Sequence, residues 1–117
     1  MTSKIDLTMD LFSKKEDKAV NEIEKVNAGM TLIRETIRNT GDEIVESNSL
    51  RVAQILNDCI SHFQKYKSYL NGMNGMQQSL FYGRSVDVWN GERVSPLVWE
   101  QYFQNVVHAL TNQIKSL

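Results

Sequence analysis

The chain has a single cysteine, Cys59, in 117 residues. An intramolecular disulfide is therefore impossible, and a cysteine-rich zinc site is excluded. No region carries an excess of one charge. Residues 1–40 hold seven basic and seven acidic groups, residues 41–70 three and four, and residues 71–117 three and three. Without a basic excess, no segment concentrates a polyanion such as nucleic acid or an anionic membrane. No apolar run approaches the roughly 20 residues needed to span a bilayer. No cationic start followed by an apolar run marks a secretory signal. These absences point to a cytoplasmic, reducing location with no membrane contact. The phosphate-binding glycine loops, H-E-x-x-H and G-x-S-x-G are missing too, so no catalytic, cofactor or metal residues are assigned. Asn is abundant and Ala scarce, a bias associated with AT-rich coding sequence of bacterial or phage origin.

What is present is helical periodicity. Ser13-Lys14-Lys15-Glu16 has the form of a capping box, in which hydroxyl and carboxylate satisfy the free amides of a helix start. Behind it Ala19, Ile23, Val26, Met30, Ile33 and Ile37 alternate four and three apart, a seam down one helix face. Gly29 interrupts that helix, which implies close packing there or a slight bend. A second seam runs through Val52, Leu56, Cys59, Phe63, Tyr66, Leu70 and Met73. The two are out of phase, so the chain breaks between residues 40 and 49, with Thr40-Gly41-Asp42-Glu43 as the turn and the next cap. Two helices of matched length, each about 40 Å, then form an antiparallel hairpin.

Asn71-Gly72 closes the second helix, and Gly83 closes a short apolar turn from Met76 to Tyr82. In residues 85–95, Val86, Val88 and Val94 alternate with polar neighbours around Asn90-Gly91, which predicts a β-hairpin with a two-residue type I′ turn. Ser95 caps a last helix with Pro96 at its first position. Its broad apolar face includes Leu97, Trp99, Phe103, Val107 and Leu110. The predicted fold is a single mostly α (α+β) domain over 1–117, with a helical hairpin, a C-terminal helix and a small β-hairpin. Residues 4–12 alternate apolar and polar and have three readings. They form a third strand, pair with their own copy in a dimer, or are helical or disordered.

Asp58, Cys59 and His62 share one helix face at ligand spacing. Cys59 also lies in the apolar seam, where a free cysteine acts as a small hydrophobe. Asp42, Glu43 and Glu46 read as charges favoured at a helix start. Lys65 and Lys67 alternate with Phe63, Tyr66 and Tyr69, the mixture that holds single strands, although Phe63 and Tyr66 occupy the seam. A strand followed by two helices resembles the ribbon-helix-helix DNA-binding dimers, yet Asp6 and Asp10 set the wrong charge against phosphates. Thr8-Met9-Asp10-Leu11-Phe12 resembles the Gln-Leu-Ser/Asp-Leu-Phe peptide that docks into the bacterial sliding clamp, with Thr8 and Met9 in place of Gln and Leu. That resemblance implies apolar anchoring by Met9, Leu11 and Phe12 from an extended segment.

Apolar positions off the seams (Val20, Leu32, Ile55, Ile60) leave more apolar surface than one helix and a ribbon can cover. The expected function is therefore a non-enzymatic protein-interaction module of adaptor, inhibitor or secretion-chaperone type, homodimeric through helical faces. Met9, Leu11, Phe12, Leu32, Tyr69, Phe81 and Trp89 are its candidate contacts. The rival expectation is a small nucleic-acid-binding regulator of transcription or replication using Arg34, Arg38, Arg51, Lys65 and Lys67.

Overall fold

The structure, a computed structural model, describes residues 4–89 and 91–117, with side chains from Lys14 onward. The element order is α1 (Lys4–Asn39), α2 (Glu46–Asn71), α3 (Gly75–Tyr82), β1 (Val86–Asp87), β2 (Arg93–Val94) and α4 (Pro96–Lys115). The molecule is elongated, 60 × 23 × 21 Å.

The expected hairpin is formed, but its arms are unequal: α1 has 36 residues and α2 has 26. Residues 4–12 belong to α1 and form no third strand, and Ser13 lies inside the helix instead of opening it. The reason is in the spacing. Ile5, Met9 and Phe12 stand four and three apart, in step with the seam that begins at Ala19. Lys, Leu and Met are also good helix formers. Met9, Leu11 and Phe12 are thus in helix, and their side chains lie outside the described ones.

Helix α1 ends in a turn where Gly41 and Asp42 have φ of 78° and 66°. The Asp42 amide donates back to the Ile37 carbonyl at 2.9 Å, satisfying one of the helix's last acceptors. The Thr40 hydroxyl donates to Ile37 O at 2.9 Å. It therefore does not cap the next helix as expected. Helix α2 starts at Glu46 behind Val45, with no side-chain cap.

Both seams are buried against each other: Ala19, Ile23, Val26, Met30 and Ile33 face Val52, Leu56, Cys59, Tyr66 and Leu70. Gly29 sits at their closest approach, because a Cβ there would overlap Sγ of Cys59. Gly29→Ala gains helix propensity but overpacks a rigid spot, so a net loss of about 1–2 kcal/mol is expected. Cys59→Ala in the same chain should recover most of that loss, and a double-mutant cycle by urea unfolding checks it.

Helix α4 lies in the valley between these two arms. Tyr66 meets Trp99 with ring centroids 5.2 Å apart, and Phe63 meets Phe103 at 5.0 Å. Falling residue numbers in α2 thus match rising ones in α4, so α4 runs antiparallel to α2 and parallel to α1. Helix α3 closes one end of the bundle. Asn74 caps it through a capping box with Gln77, and Phe81 stands 6.0 Å from Tyr66.

The β-hairpin forms with Val86 opposite Val94 and Asp87 opposite Arg93. The Val88 amide donates to Glu92 O at 2.8 Å, so the pairing closes wider than the two-residue turn expected. Gly91 supplies the positive φ, 87°. The Asn27 side chain ties this ribbon to both α1 and α4. Asn27 Nδ2 donates to the Asp87 carbonyl at 2.6 Å, while Asn27 Oδ1 accepts from Trp99 Nε1 at 2.9 Å.

Candidate functional site

A three-helix bundle has three inter-helix valleys, and the ribbon fills only the one between α1 and α4. There the Trp89 ring lies 4.8 Å from that of Tyr102, and the Arg34 guanidinium lies 5.6 Å over it. Arg34 also donates to the Tyr102 hydroxyl at 3.3 Å. The other two valleys stay open.

The first open valley, between α2 and α4, is a groove of about 320 Å³. Ile60 and Phe63 of α2 and Phe103 and Val107 of α4 make its walls. Gln104, His108 and Thr111 line its edge. Phe103 is fully buried, whereas Ile60, Phe63 and Val107 are only half-buried. The aromatic face of α4 packs on α2 through Trp99 and Phe103, and the outer side of that face, at Val107, is left half-buried.

The second valley, between α1 and α2, holds about 310 Å³. Leu32, 46% exposed, borders it with Ile55. Beside it lies a buried acidic side chain that the spacing of residues did not reveal. Glu22, only 5% exposed, places Oε2 2.7 Å from Nδ1 of His62 and Oε1 3.7 Å from Nζ of Lys25. His62 is thereby engaged by a carboxylate of the other helix. Cys59 turns away from it and donates its thiol to the Val26 carbonyl at 3.7 Å. Burial, helped by the negative charge of Asp58, pushes the Cys59 thiol up to about 11. At neutral pH it is therefore protonated and a poor nucleophile. Among the described residues no three His, Cys, Asp or Glu side chains converge to hold a metal ion.

Glu100 is the second buried carboxylate, at 7% exposed. Its Oε1 accepts from the hydroxyls of Tyr66 at 2.6 Å and Tyr82 at 3.3 Å, and its Oε2 lies 3.6 Å from Nζ of Lys67. It ties α2, α3 and α4 together. The clue was present in the sequence: between Pro96 and Ile114, Glu100 is the only charged residue of α4. The partners were not legible, because they stand 34 and 18 positions away.

The expected contact residues fall into different settings. Phe81 is wholly buried between Tyr66 and Tyr82 and offers no outward surface. It belongs to the core, because residues 75–82 form a helix whose buried residue is Phe81. Tyr69 is half-buried beneath Lys18, whose Nζ lies 5.8 Å from the ring centroid. Trp89 is half-buried in its sandwich, and Leu32 is open to solvent.

The five bases of the rival reading occupy separate places. Arg34 and Lys67 are each bound to α4 side chains. Arg51 shares a hollow with Glu35 on the α1–α2 side. Arg38 and Lys65 are exposed. Several large apolar side chains outside the expected contact set are exposed as well, among them Leu97, which the spacing puts on the apolar face of the last helix. Met76 and Leu80 on α3 are 71% and 55% exposed, and Leu97 at the start of α4 is 59%.

No family model, no curated protein and no solved structure matches this chain. Functional inference therefore rests on the geometry alone. No helix among the described residues is long and apolar enough to cross a membrane.

Proposed function

We propose that this chain is a non-enzymatic protein-binding module of the cytoplasm that receives another polypeptide in the groove between α2 and α4. The observation that carries the reading is that groove: about 320 Å³, walled by Ile60, Phe63, Phe103 and Val107, and fringed by Gln104, His108 and Thr111. Apolar walls with a polar fringe are the anatomy of a protein interface, where a buried centre supplies affinity and the rim supplies register. An amphipathic helix laid along such a groove would add a fourth member to the bundle.

The test is affinity capture from the native host with the wild-type chain and with Ile60→Asp. A charge in the groove wall should abolish retention of any captured protein while the far-ultraviolet circular dichroism stays helical. Equal capture by both chains would place the binding elsewhere and reject this groove.

A further inference from the structure

Resting on that reading, we propose that the occupant of the α2/α4 groove is a second copy of this chain, packed through α4 about a two-fold axis. The distribution of charge favours this occupant. From Gln101 to Ile114, α4 carries no Asp, Glu, Lys or Arg, and neither does α2 from Cys59 to Gln64. These two stretches flank the groove. By contrast, the exposed side of α1 carries Lys14, Asp17, Lys18, Glu24 and Lys25. A helix face that meets only water ordinarily carries charges of this kind, and interface centres are depleted of them.

A two-fold contact adds a requirement that a contact with a foreign partner does not have. The same patch serves both sides, so groups near the axis meet their own kind. A charged face repels itself there. An amide-bearing face does not, because Gln and Asn each hold both donors and acceptors and can pair with their copies. Gln101, Gln104 and Asn105 are exposed on α4 and meet that requirement. Ile60, Phe63 and Val107, half-buried in one copy, would complete their burial in two.

The dimensions suit the arrangement. Helix α4 has 20 residues and the bundle is 23 × 21 Å across. A face about 30 Å long and as wide as the bundle has an outline of roughly 600 Å², near the ~800 Å² per partner of a standard interface.

The experiment is sedimentation equilibrium on the full chain. Compared are the wild type, Val107→Asp, the double variant Gln104→Glu with His108→Glu, and Leu32→Asp in the opposite valley. The wild type should be a dimer. Val107→Asp and the double variant should each weaken association by roughly 100-fold, with circular dichroism unchanged. Leu32→Asp should associate like the wild type. The double variant alters only exposed side chains, so it decides the matter even if Val107→Asp unfolds.

Three outcomes overturn the proposal: a wild type that stays monomeric at high concentration, a dimer that survives the double variant, or a dimer broken by Leu32→Asp alone. A monomer that still captures a different protein through Ile60 rejects the second copy and leaves the protein-binding reading standing.

Discussion

Replacing Trp99 by Ala is expected to destabilise the protein by about 3–5 kcal/mol, the upper range for loss of a buried aromatic. Trp99 is fully buried. It stacks on Phe103 at 5.9 Å, meets Tyr66 edge-on at 5.2 Å and approaches Phe63 at 5.8 Å. Its indole N–H donates to Asn27 at 2.9 Å. Truncation therefore opens a cavity where all three long helices meet and removes a hydrogen bond as well. A domain of this size has a total stability of about 5–15 kcal/mol, so a large part is at stake. Trp99→Phe keeps most of the packing and should cost less than half as much. Chemical unfolding followed by circular dichroism measures both. A loss below about 1 kcal/mol for Trp99→Ala would mean that α4 does not dock as described.

Glu100→Ala should also destabilise, by about 1–3 kcal/mol. The large term is not the ion pair, since Lys67 is 39% exposed and solvent screens it. It comes from the tyrosines. Without the carboxylate the buried Tyr66 hydroxyl loses its acceptor, and an unsatisfied buried group is expensive. Glu100→Gln keeps an acceptor oxygen and should cost less.

The same cluster predicts a pH dependence. Burial, together with the Glu100 charge and hydrogen bond, pushes Tyr82 up to about 12, and the same causes push Tyr66 up further. An unfolded tyrosine ionises near pH 10. The folded state therefore holds its phenolic protons where the unfolded state has released them. Stability from this source is intact below pH 10 and falls as pH rises through 10 towards 12. The double variant Tyr66→Phe with Tyr82→Phe should flatten that decline. An equally steep decline in the variant would assign it to other groups.

The sequence made the helical hairpin legible because two seven-residue patterns, out of step with each other, leave room for little else. Ala19 to Ile33 and Val52 to Leu70 are buried as their spacing requires. The opening segment misled for a definable reason. From Ile5 to Phe12 the alternation of a strand and the four–three step of a helix select overlapping residues, and the longer seam downstream decides between them. Thr40 misled in a similar way, because a hydroxyl followed three residues later by Glu43 looks like a cap whether it serves the helix before or the helix after. The candidate groove was not legible at all. Ile60 and Val107 become neighbours only once α4 has docked on the hairpin, and that docking joins residues as far apart as Asn27 and Trp99, 72 positions of chain.

That long reach also bears on how the protein folds. The arms of α1 and α2 are joined by a short turn, so their pairing can begin with small loops beside it, and each later contact adds little chain entropy. The Asn27 side chain, which holds both the ribbon and Trp99, engages only after some seventy residues have been drawn together. Docking of α4 is then the late event on the route to the native state, and damage to it acts mainly by hastening escape, with little delay to arrival.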